Sequence, residues 1–217
     1  IHFRIKDLLF SSILFVANKY MVKIAKILGE DTAEITDWIS RTKKNFYKYF
    51  IPTGYQKLGI SENTLFCNYD LVAKSCIRKR TISSLLPIYT GLIPNDEIDL
   101  LVNWITHAHW CGGEGRCFLP VIPSTDLEES YFHPLTYWRG PVWVNTNWMI
   151  WLGLLKYGYR QAANKIRNGI LQLATKQGFR EYYNPFTGEG LGGKAFSWSA
   201  ALIIDMIEDK GIGIPPD

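Results

Sequence analysis

From Val142 to Tyr157 the chain is apolar almost all the way round a helix, with Met149, Ile150, Trp151, Leu152 and Leu154 leaving no wide polar face. Such a helix must be covered on every side. The next segment, Arg160 to Lys176, is amphipathic, with Ala163, Ile166, Ile170, Leu173 and Ala174 on one face. A loop from Gly178 to Gly193 then leads to a second apolar helix, Lys194 to Glu208. Buried helices alternating with amphipathic ones, without a βαβ rhythm, predict an all-α, two-layer architecture such as an (α/α) barrel, its loops ringing a pocket at one end. At 217 residues and 47% hydrophobic content the chain can build a sizeable core, and 1–217 reads as one domain.

The earlier segments agree. From Asp7 the set Ile13, Ala17, Tyr20, Met21, Ile24 and Leu28 repeats at helical spacing and stops at Gly29. Asp31 and Glu34 have capping-box spacing for a second helix through Ile35, Trp38, Ile39, Phe46 and Tyr49, ending before Pro52 and Gly54. The two form an αα-hairpin. Residues 52–80, with Gly54 and Gly59, read as an excursion with a short strand pair. Ser83 to Tyr89 and Asn95 to His107 read as helices, the second capped by Asn95. Residues 108–136, rich in Gly and Pro, form a connection long enough to be functional.

Composition excludes several classes. The net charge is +4, and the only tight basic run is Arg78-Lys79-Arg80, too sparse for a nucleic-acid stripe. Ser11, Ser12, Asn18, Asn145 and Asn147 interrupt the apolar stretches before the roughly 18 residues a membrane helix needs, so no bilayer span is expected. Cys67, Cys76, Cys111 and Cys117 lie in a chain too large to need staples, and no Asn-x-Ser/Thr acceptor occurs. Reduced thiols and a cytoplasmic location are the expectation. Aromatic residues make up 14%, with eight Trp, enough to fill a large core or line a groove for sugars.

Three stretches carry chemistry. Tyr137-Trp138-Arg139-Gly140-Pro141-Val142-Trp143 sets two indoles, a phenol and a guanidinium around a Gly-Pro turn, which suits either pyranose stacking or core packing. In Phe179-Arg180-Glu181-Tyr182-Tyr183-Asn184-Pro185 and Thr187-Gly188-Glu189-Gly190, either Glu181 or Glu189 has the setting of a general base or of a structural ion pair. The run His107-Ala108-His109-Trp110-Cys111 to Cys117 invites a zinc reading. Its spacing fits no usual ligand pattern, so hydrogen-bonded His and free thiols are favoured and neither metal nor cofactor is expected.

The stretches YWRGPVWVNTNW and EYYNPFTGEGLGGKAFSWSAALIIDM resemble signatures of the clan that includes mannosylglycerate and glucosylglycerate hydrolases, processing α-glucosidase I of glycoside hydrolase family 63 and, more distantly, trehalase. Supporting similarity runs through DLLFSSILFVANKYMVKIAKILGED, SSLLPIYTGLIP and LPVIPSTD. The resemblance implies the C-terminal portion of an (α/α)6 barrel and inverting hydrolysis of an α-linked glucoside or mannoside. It implies that Glu181 is the general base, that Tyr137, Trp138, Arg139, Gly140 and Trp143 line the sugar subsite, and that Glu189 is not catalytic.

The Ser-Gly-x-Asp type motif that carries the general acid in such families is not in this sequence. The resemblance therefore implies a barrel incomplete at its N-terminal side, with the acid supplied by an upstream segment or a separate chain. The partner is a carbohydrate substrate, not nucleic acid or a membrane. A carbohydrate-binding remnant without hydrolysis, or a helical scaffold with a purely structural aromatic core, are the competing readings.

Overall fold

The computed structural model describes residues 4–52, 64–112, 115–208 and 214–216. Gly54, Gly59 and Gly113 lie outside them. The chain divides into two compact units: Ile1–Lys79 with Ser83–Leu101 and Pro215–Asp217, and Arg80–Ile82 with Val102–Ile214.

In the first unit, helices α1 (Leu8–Leu28) and α2 (Ala33–Phe50) form the αα-hairpin. Asp7 is extended and its carboxylate accepts from the Phe10 amide at 2.8 Å, so it caps α1. Gly29, at φ 74°, closes the other end, and the Glu30 amide returns to the Ala25 carbonyl at 2.9 Å. The capping box at Asp31 does not form. Asp31 instead accepts from Ala33, two residues on, and this local turn leaves Thr32 at the cap position without a side-chain bond. Phe46 meets Phe50 and Phe66 edge-on at 5.2 and 5.8 Å, giving the unit an aromatic core.

By length and composition α1 is apolar enough to cross a membrane, contrary to the expectation from its interrupting polar residues. Packing uses only part of that hydropathy: Leu8, Phe15, Val16 and Ala25 are buried and the helix contacts α2 and α3 (Pro87–Thr90), while Phe10, Leu14, Ile27 and Leu28 remain exposed. The expected strand pair exists as β2 (Asn68–Asp70) and β3 (Ser75–Ile77), and β1 (Ile5–Lys6) adds an unforeseen third strand. Asn68 tethers this sheet to α1 by accepting from the Leu8 amide at 2.8 Å. The helix expected over Ser83 to Tyr89 is only a 3-10 turn and the short α3, because Pro87 cannot continue a preceding helix. Helix α4 covers Ile98–Thr106, starting three residues later than expected, and Asn95 lies in the turn that precedes it.

In the second unit, α5 (Val144–Lys156) contacts both α6 (Arg160–Gln177) and α7 (Ser197–Glu208). Ile150, Trp151, Leu152 and Leu154 of α5 are fully buried, as its apolar circumference requires. Helix α7 departs from expectation. Ile203 and Met206 are buried, but Trp198, Ile204 and Ile207 are exposed, so α7 is covered on one side only. Its expected N-terminal residue, Lys194, belongs to a strand.

The stretch expected to be loop from Gly178 to Gly193 is instead a hairpin, β5 (Arg180–Tyr183) and β6 (Gly190–Lys194). It pairs with β4 (Val142–Trp143), which takes the first two residues from the expected α5. Two bridges extend this ladder backwards, Pro123 with Val142 and Thr81 with Thr125. Five short segments thus run side by side, from Arg80–Ile82 through 123–126 and β4 to β5 and β6.

All four cysteines are paired, which corrects the expectation of free thiols. Cys67 joins Cys76 with Cα atoms 5.7 Å apart, and Cys111 joins Cys117 at 5.4 Å. The second pair removes both sulfurs from the zinc reading, and no cluster of three metal-ligating side chains occurs among the described residues.

Two measurements check these features. Thiol titration of the denatured, unreduced chain should find no reactive cysteine; four reactive thiols would restore the reduced reading. Asp7→Ala should lower stability by about 1 kcal/mol in denaturant unfolding through loss of the α1 cap.

Candidate active site

Trp143 ends β4 just before α5 begins and is 2% exposed. Its indole stacks on Trp138 at 4.0 Å and 3° between planes, and on Tyr182 at 4.9 Å. Tyr137 meets Trp143 edge-on at 4.9 Å and Tyr182 at 5.5 Å. The Trp143 Nε1 donates to the Tyr137 carbonyl at 3.0 Å, which fixes the turn carrying Tyr137 and Trp138. Tyr137 itself sits at φ 31°, a conformation that tyrosine adopts only when its surroundings impose it. The cluster is half wet: Trp138 is 37% exposed and Tyr137 50%. A buried indole beneath two partly exposed rings offers a flat apolar surface to a ligand while keeping its own position.

Glu181 lies on β5 beside this surface. Between Arg180 and Tyr182 on one strand stands Glu181 alone, while between Leu191 and Lys194 on the other stand Gly192 and Gly193; the result is a β-bulge. The extra residue aims Glu181 at both glycines. Its Oε2 accepts from the Gly193 amide at 3.0 Å and its Oε1 from the Tyr137 hydroxyl at 3.4 Å. Gly192 is at φ 65°, and a Cβ there would lie 2.5 Å from Glu181 Oε2, so only glycine leaves room for the carboxylate. Burial, and next the charge of Glu181, raise the pKa of Tyr137 above its ordinary value. The phenol therefore stays a donor to Glu181 throughout the neutral range.

Tyr137, Trp138, Trp143 and Glu181 thus converge although Trp143 and Glu181 are far apart in sequence. Arg139 and Gly140 occupy different positions. The Arg139 Nε donates to the Tyr131 carbonyl at 3.0 Å, and Gly140 is buried beneath the turn, where a Cβ would collide with the His133 carbonyl. Glu189 falls in the tip between β5 and β6, exposed, its amide held by Thr187 at 3.2 Å. Tyr182, Gly192, Gly193 and Asn147 were not singled out by sequence reasoning for what they do here. Asn147 is fully buried, donates to the Trp143 and Ile122 carbonyls at 2.8 and 2.9 Å, and accepts from the Ile122 amide at 2.8 Å. A polar residue in an otherwise apolar helix was the available signal for it.

A carboxylate held at both oxygens, beside a stacked aromatic surface, can orient a water against a sugar. Residues 1–199 match the model of the mannosylglycerate hydrolase MGH1-like glycoside hydrolase domain. The chain is 37% identical over 202 residues to a mannosylglycerate hydrolase of Thermus thermophilus, covering 93% of this chain and 45% of the relative. It is 29% identical over 208 residues to a glucosylglycerate hydrolase of Mycolicibacterium hassiacum, covering 94% and 44%. A crystal structure of glycoside hydrolase family 63 mannosylglycerate hydrolase from Thermus thermophilus in complex with Tris superposes with a TM-score of 0.79 at 35% identity, covering 92% of this chain and 45% of that one. Neutral trehalase from Saccharomyces cerevisiae, at 17% identity, TM-score 0.66, and 91% and 36% coverage, shares the fold alone. The fold class is that of these (α/α)6-barrel enzymes, and the chain spans less than half the length of the relatives it matches. With most of its length matched by the family model, the chain belongs to the mannosylglycerate hydrolase MGH1-like glycoside hydrolases.

Proposed function

We propose that the chain is the C-terminal portion of an inverting glycosidase acting on an α-linked glucoside or mannoside of the glycerate type. The observation that carries this is the placement of Glu181 between the Tyr137 hydroxyl and the Gly193 amide at the edge of the Trp138–Trp143–Tyr182 stack. Trp138 and Tyr137 would take the apolar face of the pyranose. Glu181, held at both oxygens, would take a proton from the water attacking the anomeric carbon as the glycosidic bond breaks. The substrate class follows the mannosylglycerate and glucosylglycerate hydrolases among the relatives.

Inversion also needs a protonated carboxyl on the leaving oxygen, about 6.5 to 9.5 Å from the base. That acid would come from a segment outside these 217 residues, since the chain spans less than half of its relatives. Helix α1 supports the same reading. Phe10, Leu14, Met21, Ile24, Ile27 and Leu28 are exposed on it, an apolar row longer than a soluble surface ordinarily leaves open. The completing segment would cover this row.

Activity tests the assignment. The chain alone should hydrolyse glucosylglycerate and mannosylglycerate negligibly, and turnover should appear when it is joined to a segment bearing the acid. In the completed enzyme, Glu181→Gln should lower kcat by roughly 10² to 10⁴, the usual worth of one acid-base group, while sugar binding persists. Glu189→Gln should cost far less. A glycosyl fluoride, whose leaving group scarcely needs protonation, should be the substrate least impaired by absence of the acid. Hydrolysis by the chain alone that survives Glu181→Gln would overturn the assignment; binding without turnover in the completed protein would favour the remnant reading.

Gly192→Ala generates a separate expectation. The added methyl must displace the Glu181 carboxylate and occupy a left-handed backbone position, so kcat should fall about 10²-fold or more with little change in sugar affinity. Wild-type kcat in that variant would show that the bulge does not set the base.

A further inference from the structure

Asp126 is fully buried, in the loop-rich stretch that precedes the aromatic turn, yet no step proposed above uses it. Its Oδ2 lies 2.6 Å from Arg80 Nε and 3.5 Å from His109 Nδ1, and its Oδ1 accepts from the Glu128 amide at 2.8 Å. A carboxylate taken wholly out of water survives only when partners replace its hydration, so this is an expensive feature to keep for stability alone.

The residues on either side of it give the feature its place. The Asp126 amide donates to the Arg80 carbonyl at 3.1 Å and the Ile82 amide to the Ser124 carbonyl at 2.9 Å, so Arg80–Ile82 and Ser124–Asp126 run as a two-stranded ribbon. Thr125, also fully buried, donates from its hydroxyl to the Trp138 carbonyl at 3.3 Å. The Ser124 Oγ accepts from the Gly140 amide at 2.9 Å, and the Ser124 amide donates to the Pro141 carbonyl at 3.0 Å. Ser124 and Thr125 therefore grip the backbone of the turn that presents Tyr137 and Trp138. On its far side the same segment is fixed to the turn after α4, because the Leu127 amide donates to the His109 carbonyl at 3.0 Å.

We infer that Asp126, paired with Arg80 beside His109, is a positioning residue that holds Trp138 in register against Trp143. It touches neither sugar nor reacting atoms and acts through Ser124 and Thr125. The inference rests on the reading of the Trp138–Glu181 cluster as the sugar site for its functional meaning, but its test has a readout independent of hydrolysis.

That readout is the near-ultraviolet circular dichroism attributable to Trp138, taken as the difference between a protein and its Trp138→Phe derivative. In the wild-type chain the difference reports a stacked indole. In an Asp126→Asn background it should shrink roughly threefold, and Trp138 should gain exposure to a neutral quencher, because a neutral amide cannot hold Arg80 as a carboxylate does and the ribbon loosens. Thr125→Val, which keeps volume and leaves the ion pair intact, should shrink it in the same direction by breaking only the bond to the Trp138 carbonyl. Binding of methyl α-D-mannoside or methyl α-D-glucoside should weaken about tenfold in Asp126→Asn.

A variant with a lowered Tm but an undiminished Trp138 signal would overturn the inference and leave Asp126 a structural residue. Should Asp126→Asn fail to fold, Thr125→Val decides: an unchanged Trp138 signal in that variant overturns it equally. If the completed protein binds neither glycoside while the Trp138 signal collapses in both variants, the positioning role stands and the glycosidase reading falls.

Discussion

The stacking of Trp143 between Trp138 and Tyr182 joins the aromatic turn and β4 to the β5–β6 hairpin. β4 offers only two residues for pairing with β5, and so short a ladder cannot hold itself together in water. The buried indole supplies the missing adhesion, since an aromatic side chain of this size buries on the order of 200 Å² and gains further from a stacked partner. Asn147 then fastens the end of β4 to α5 from beneath, with all its bonds made inside the protein. Glu181 owes its position to this junction, because the strand that carries it is held against Trp143.

Around that junction, rigidity comes from polar groups rather than from apolar burial. The Tyr183 hydroxyl, on a fully buried side chain, donates to the Gly178 carbonyl at 2.8 Å and accepts from the Arg180 amide at 3.2 Å, which closes the base of the hairpin. The Ser199 hydroxyl donates to the Arg180 carbonyl at 2.8 Å and ties the hairpin to α7. Each of these bonds contributes only about 1 kcal/mol net, but leaving any one group unpaired would cost more than the bond returns. The arrangement is accordingly directional: it fixes where Glu181 and Trp138 sit, while α5, α6 and α7 supply the bulk of the cover.

The two apolar surfaces left open, on α1 and α7, belong to different compact units and share one cause. Each helix has more apolar circumference than the described residues can cover.

The sequence by itself determined the helices whose ends carry local signals. Asp7 and Gly29 bound α1, and the apolar spacing of α6 gave its buried face, because a cap or a helical stripe is complete within a few residues. The motifs also named Tyr137, Trp138, Trp143 and Glu181. Only the tertiary structure decided what joins them. The five-segment ladder is made of pieces two to five residues long, none with enough alternation to announce a strand, and the bulge that aims Glu181 exists only in the pairing of β5 with β6. The disulfide partners, the left-handed backbone at Tyr137 and the burial of Asp126 likewise depend on contacts with residues distant in the chain. Local sequence sets local conformation. Register, burial and the aim of a carboxylate are properties of pairs of segments, and they arise only when those segments meet.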